Sequence, residues 1–384
     1  MGSFYENVFR WAEGQAGEAE ELLIALGRIP APTREEDRRA EFVRKWFQDA
    51  GFEDVFIDSA KNVICPYQTE KNREIVVFAA HTDIVFPDTE ELPMRQEGRT
   101  LYAPGIGDDT ANLVNLMICA KYISRYHPAM KKGILFIANA CEEGMGNLDG
   151  TKAVFEAYGD RITEFYSFDG YLSQCTSDAV GSHRYRVSVK ETGGHSYLDF
   201  GRENAIAVIS RMICDLYSQQ LPDNPVKTTF NVGRIYGGST VNSIAEEAEM
   251  LYEYRSPSNA NLLFMMEQFN GIMNRYREKH KLDIELMGVR PGKGSFKEGV
   301  LESWTKRNIR IINEFYKGPM DLRAYSTDSN IPLSKGITAN TIGTIAGGMA
   351  HTREEWVDLD SIPQGLAIVL SIMLTYSAEE SPGL

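Results

Sequence analysis

Apolar residues recur along this chain with two different spacings, and the switching between them predicts its elements. Continuous apolar runs of strand length end near residues 64, 83, 139 and 169, each bounded by turn-forming residues. Between them, apolar positions at helical spacing predict helices near 35–50, 110–126 and 148–158. In the second of these, Leu113, Leu116, Met117 and Ala120 share one face. Strands that alternate with helices predict a layered α/β domain. From about residue 184 the order changes to strand "RYRVSVKET", helix "NAIAVISRMICDLYSQQ", strands "TTFNVGRIYG" and "AEEAEMLYEYRS", helix "ANLLFMMEQFNGIMNRYREKH" and strand "LDIELMGV". That is a self-contained β-α-β-β-α-β unit. "RPGKGSFKEG" at 290–299 then reads as a linker back to the first domain. The expected organisation is a discontinuous domain, 1–183 with 292–384, into which a second domain, 184–291, is inserted.

The chemistry sits where apolar runs stop. "VVFAAHTDIV" (76–85) carries His81 and Asp83 at a strand end, on one side of the chain by period-two geometry. A carboxylate there can accept the second ring N–H of a ligand imidazole, the alternative being a satisfied core histidine. "APGIGDDTANLVNLMICAKYI" (103–123) places Asp108 and Asp109 after a glycine-rich turn and before a helix. Asp109 reads equally as a first-turn acid meeting free N–H groups. Two acids after two glycines also suit a carboxylate that bridges two metal ions, which needs close backbone approach. "GILFIANACEEGMGN" (133–147) ends a buried strand in Glu142 and Glu143. One such glutamate can bind metal while the other takes a proton from water. "RITEFYSFDGYL" ends in Asp169, and "ITANTIGTIAGGMAHTREEW" (337–356) places His351 after a Gly-Gly loop. His nitrogens and carboxylate oxygens in this combination suit a catalytic two-zinc site.

Together these motifs resemble the cocatalytic dizinc exopeptidase family that contains peptidase T, carboxypeptidase G, succinyl-diaminopimelate desuccinylase and the aminoacylases. The resemblance runs nearly end to end. It starts with "IPAPTREEDRRAEFVRKWFQDAGFEDVFIDSAKNVI" (29–64) and includes "ETGGHSYLDFGRENAI" and "TTFNVGRIYGGSTVNSIAEEAEMLYEYRS". It implies a mixed-sheet α/β/α zinc-peptidase catalytic domain with an inserted ferredoxin-like α+β lid and dimerisation domain. It also implies one Zn²⁺ held by His81, Asp108 and Asp169 and a second held by Glu143, His351 and the same Asp108. Glu142 would be the general base, Asp83 would orient His81, and the Asp108–Asp109 peptide would be cis. His195, in "GGHS", would reach the active site of a second subunit and hold the oxyanion, unless it is an ordinary exposed loop histidine. Asn242 and Arg255 would hold substrate, Arg255 through its planar fork of donors; the plainer reading of Arg255 is a surface ion pair. Asp at position 169 looks more like the aminopeptidase and carboxypeptidase branches. Where many relatives have Lys directly after the two acids, this chain has Thr110.

The expected activity is therefore zinc-dependent trimming of short peptides from the amino end by a homodimer, with Co²⁺ or Mn²⁺ as other metals the site could take. The same chemistry would serve an amidohydrolase of N-acyl amino acids or a carboxypeptidase. A metal-free binding protein that kept the fold is disfavoured, because no ligand position is lost. With 384 residues, 43% apolar content and a net charge of −14, the chain has material for two cores but no clustered cations for nucleic acid or anionic membrane. Cys65, Cys119, Cys141, Cys175 and Cys214 are scattered and odd in number, which suits free thiols in a reducing compartment. The acidic amino-terminal stretch lacks the basic and apolar regions of a secretory leader, and no run reaches the roughly 20 apolar residues of a membrane span. A cytoplasmic protein is expected. His127, His183 and His280 lie outside acid motifs and receive no role.

Overall fold

The computed structural model describes residues 2–379; Met1 and 380–384, the outer ends of the first expected domain, lie outside the described residues. The chain divides into two compact units, one running up to Asp178 and resuming at Ser295, the other Ala179–Gly294. The expected boundaries fall inside the strands Gly181–Lys190 and just past Lys281–Arg290. Gly181 and Ser182 already pair with Ser256 and Arg255, so the strand begins before its apolar pattern does.

The first unit is built on a seven-stranded mixed sheet in the order Phe56–Ile57, Val63–Tyr67, Gly133–Asn139, Ile75–His81, Ile162–Phe168, Thr338–Ile342, Cys175–Thr176. The four middle strands are parallel and the flanking ones antiparallel. Every residue of Ile75–His81 and Gly133–Asn139 is buried, as expected of parallel strands covered on both faces. The helix Asn112–Tyr126 departs from the one-faced pattern read in the sequence. It is buried from Asn112 to Ser124 apart from Lys121, because it packs on the sheet on one side and on the helices Gly2–Gly27 and Ile362–Leu374 on the other. Its polar members Asn112 and Asn115 are satisfied through Thr344.

The second unit holds four antiparallel strands in the order Thr229–Gly237, Glu247–Ser256, Gly181–Lys190, Lys281–Arg290. With helices Ala205–Tyr217 and Asn259–Arg277 this is the expected β-α-β-β-α-β unit, its strands paired 2-3-1-4 as in ferredoxin-like folds. Strict alternation along Glu247–Ser256 turns Met250, Tyr252 and Tyr254 into a core with Val187, Val208, Met212 and Phe269. A two-stranded ribbon pairs His195 with Ser243.

Among the described residues no helix is long and apolar enough to cross a membrane. All five cysteines are free; four are buried, but Cys214 is exposed on its helix rather than inside.

Candidate metal centre

Four adjacent parallel strands each deliver part of the site at their carboxyl ends, where open α/β sheets leave a crevice. His81 closes its strand, Glu142 and Glu143 follow Asn139, Asp169 follows Phe168, and the segment after Ile342 leads to His351. Asp108 and Asp109 come from the tight turn before the helix Asn112–Tyr126, and the peptide between them is cis.

Asp108 is the centre of the arrangement. Its Oδ1 lies 3.1 Å from His81 Nε2, and its Oδ2 lies 3.2 Å from His351 Nε2, which is also 3.3 Å from Glu143 Oε1. One carboxylate thus faces two histidines with different oxygens. Donor atoms of His81, Asp108 and Asp169 lie within 4.8 Å of one another, as do those of Asp108, Glu143 and His351 and those of His81, Glu142 and Glu143. The structure therefore brings together every candidate ligand and Glu142.

Two neighbouring acids do other work than their sequence context suggested. Asp109 is not a helix cap: its Oδ2 accepts from the His81 backbone N–H at 2.8 Å and its Oδ1 from Asn112 Nδ2 at 2.7 Å. Asp83 does not hold the His81 ring chiefly through its carboxylate. The ring Nδ1–H meets the Asp83 backbone carbonyl at 3.0 Å, with the carboxylate at 3.4 Å, so Nε2 is left to face Asp108. The carboxylate turns instead to the backbone N–H groups of Glu142 (3.0 Å) and Glu143 (2.9 Å) and to the Thr33 hydroxyl (2.9 Å).

That pattern extends upstream. Ala140 N–H donates to Asn62 Oδ1 at 3.0 Å and Cys141 N–H to Glu36 Oε1 at 3.1 Å, so four consecutive amides from Ala140 to Glu143 are each held by a buried side chain. Asp328, wholly buried, accepts from Thr151 Oγ1 at 2.5 Å and from Asn139 Nδ2, tying both ends of the same loop. Glu355 holds the opposite wall: it accepts from Gly105, Gly107 and Asp108 N–H at 2.8, 2.9 and 2.7 Å. A side chain at Gly105, which has a left-handed backbone, would lie 2.3 Å from Ile84, and one at Gly107 would lie 2.7 Å from the Tyr171 ring. Glu36, Asn62, Asp328 and Glu355 were not singled out in the sequence. Each lies in a polar run of the chain, where only burial distinguishes it from surface.

So many acids in one buried pocket set its electrostatics. Burial pushes the Glu143 carboxyl up to about 7, with Asp108 adding to the rise. Burial likewise raises Asp169 and Asp109 well above the usual carboxylate range, and lifts Glu355 to about 8. Asp108 is instead held low, its burial overcome by His351 and His81. His351 is raised to about 11 by Asp108 and Glu143 against its own burial. Glu143 Oε1 is buried, with His351 Nε2 3.3 Å away but no hydrogen bond of good geometry. Histidine nitrogens and carboxylate oxygens crowded together in a buried pocket fit divalent cations, which bind such groups in place of protons.

In the second unit, His195 is exposed on the ribbon, its Nδ1 accepting from Tyr197 N–H at 3.2 Å. Asn242 lies across from it, its backbone carbonyl taking Ser196 N–H at 3.0 Å. Arg255 makes the ion pair of its plainer reading, with Glu253 Oε1 at 2.8 Å and Oε2 at 3.0 Å. His183 and His280 bond Tyr254 and Glu191, and His127 ends a helix; none joins the site.

A sheet that gathers two histidines and a bridging carboxylate at its strand ends, with a further acid beside them, defines a metal-dependent hydrolase. Residues 77–375 match the model of peptidase family M20/M25/M40, and the chain belongs to that family. It is 23% identical over 378 residues to the uncharacterized protein YqjE of Bacillus subtilis, covering 92% of this chain and 96% of that one. It is 25% identical over 237 residues to succinyl-diaminopimelate desuccinylase of Bordetella petrii, covering 56% of this chain and 61% of that protein. Among solved structures, aminopeptidase PepT of Bacillus cereus superposes with TM-score 0.68 at 20% identity, covering 93% of this chain and 97% of that one. A tripeptidase of Staphylococcus aureus gives TM-score 0.72 at 20% identity, covering 93% and 98%. These likenesses to solved structures speak for the fold.

Proposed function

We propose that this protein is a zinc-dependent exopeptidase that removes residues from the amino end of short peptides. The observation that carries the reading is Asp108, whose two oxygens face His81 on one side and His351 on the other, the layout of a carboxylate shared by two cations. His81, Asp108 and Asp169 would hold one Zn²⁺, and Asp108, Glu143 and His351 the second, with Co²⁺ or Mn²⁺ as possible substitutes. Bound metal would supply Lewis acidity and lower the pKa of water, so that hydroxide is available near neutral pH. Glu142 takes the proton from that water at its carboxylate and passes it to the leaving amine. His195 of a second copy donates to the developing oxyanion, and Asn242 and Arg255 hold the peptide's carbonyl and carboxylate groups. The free thiols suit a cytoplasmic setting for such a homodimer.

The likeness to PepT and a tripeptidase supports amino-end trimming, while the desuccinylase relatives favour a deacylase. The deciding experiment is hydrolysis of free di- and tripeptides beside their N-acetylated forms, with added Zn²⁺ and with a chelator. Metal-dependent cleavage of the free peptides is the expected result. Cleavage of the acylated forms alone would overturn the aminopeptidase reading in favour of the deacylase.

A further inference from the structure

We infer that Arg39 is a positioning residue for the metal centre, fixing the segment that carries His81 and Asp83 against the turn that carries Asp108 and Asp109. The inference rests on the reading that these residues hold metal. Arg39 lies in the helix Asp37–Asp49 and is wholly buried. Its Nη1 donates to the Thr82 backbone carbonyl at 2.9 Å and to Thr110 Oγ1 at 3.2 Å. Thr82 stands between His81 and Asp83, and Thr110 follows Asp109 directly. A single nitrogen therefore touches both ligand-bearing segments. The rest of the guanidinium is spent on one acceptor, with Nε and Nη2 donating to the Ile29 carbonyl at 3.1 and 2.6 Å.

The chain of contacts continues on both sides. The Thr110 hydroxyl donates to the Gly105 carbonyl at 2.5 Å, in the turn whose amides Glu355 holds. On the other side, Arg39 is electrostatically coupled to Asp83, whose carboxylate holds the amides of Glu142 and Glu143. A buried cation is costly unless it is well bonded and paired, and an apolar side chain of similar volume would fill the space at less cost. What an apolar residue cannot do is hold three segments in fixed directions. The planar guanidinium does so with rigidly directed donors; an ammonium has no such fork. The Thr110 hydroxyl is thus used both as acceptor and as donor.

The test uses Arg39→Lys, Thr110→Val and Thr110→Ser in the full chain. Thr110→Val removes the hydroxyl without stranding a buried charge, so it keeps the question open if Arg39→Lys fails to fold. Zn²⁺ affinity is measured by calorimetry, unfolding of the metal-free form by tryptophan fluorescence, and kcat and KM on a peptide substrate. Residues that support ligands without touching metal usually change affinity by about 10- to 100-fold. Arg39→Lys is expected in that range and Thr110→Val at its lower end, with kcat falling more than KM. Thr110→Ser is expected to restore affinity to about twofold of native. Native affinity and kcat in Thr110→Val and Arg39→Lys, with only the metal-free unfolding midpoint moved, would overturn the inference and leave Arg39 a structural residue. A native chain that takes up no divalent cation would overturn the metal-centre reading itself, and this inference with it.

Discussion

Asp83→Asn is expected to loosen the loop that carries Glu142 and Glu143. Asp83 is wholly buried, and its carboxylate accepts three hydrogen bonds, from Glu142 N–H at 3.0 Å, Glu143 N–H at 2.9 Å and Thr33 Oγ1 at 2.9 Å. An amide offers one oxygen. Placed where Oδ2 was, it keeps Glu143 and Thr33, but the new NH₂ group then faces the Glu142 N–H, donor against donor. A buried donor left unmet costs about 1 to 3 kcal/mol, and the two surviving bonds weaken from charge-assisted to neutral. The first unit should lose about 2 to 4 kcal/mol in all. All four tryptophans, Trp11, Trp46, Trp304 and Trp356, lie in that unit, so tryptophan fluorescence in urea reports on it alone. With a slope near 3 kcal/mol per molar urea for a unit of this size, the midpoint of the metal-free protein should fall by about 1 M. The pH dependence has a definite sign. Burial opposes ionisation of Asp83, but the nearby His81 ring and the bonds from the two amides outweigh it and lower its pKa. Its stabilisation is therefore present above the unfolded value, near 4, and is lost as pH falls through the lower folded value. The gap between native and variant should be widest at neutral pH and close on acidification. Equal midpoints at pH 7, or a gap that widens toward acid, would refute this account of Asp83.

Glu142→Gln should reduce kcat by orders of magnitude while Zn²⁺ stoichiometry and the unfolding midpoint stay native, because the proton acceptor is gone and the ligands remain. Native-like turnover would remove Glu142 as the base. Zn²⁺ affinity should rise with pH through the neutral range, because His351, raised to about 11 by Asp108 and Glu143 against its burial, must give up a proton to become a ligand. Calorimetry in two buffers of different ionisation heat would count the released protons, and affinity independent of pH between about 6 and 8 would contradict the ligand assignment. His195→Ala should lower kcat more than KM, and mixing it with Glu142→Gln should restore part of the activity through hybrid dimers; an inactive mixture would end the cross-subunit role.

Much of this was legible in the sequence because it lies in apolar runs that stop abruptly. The runs 75–81, 133–139 and 162–168 announce buried strands, and an acid or histidine straight after such a run has few bland explanations. The two compact units follow from the change of spacing near residue 184. What the sequence hid is the set of side chains that hold the ligands' backbone. Glu36, Arg39 and Asn62 sit in polar stretches, "TREEDRRAE" and "SAKN", that read as solvated surface. All three are wholly buried, because the strand ends they serve lie over them. The same limit applies to Asp83 and Asp109: spacing puts a carboxylate near a ring nitrogen or a helix start but does not say which of several donors it meets. In the helix Asn112–Tyr126 the apolar spacing shows one face, while the burial of Asn112 and Asn115 depends on Thr344, more than 200 residues away in sequence, which satisfies them inside.

The hidden residues explain why an acid-rich pocket can be held in shape at all. Asp109, Glu143 and Asp169 are pushed up by burial and each also by Asp108, so when ionised they repel Asp108 and work to spread the strand ends. Against it stand neutral amides tied to Asn62, Glu36 and Asp83 on one wall and to Glu355 on the other, each tie reaching between elements distant in sequence. These ties accept from backbone N–H groups and so do not depend on whether a cation is present. The donor atoms can then wait at coordinating distances with little rearrangement left for binding, and the charge that the cations bring relieves the repulsion that the ties were resisting.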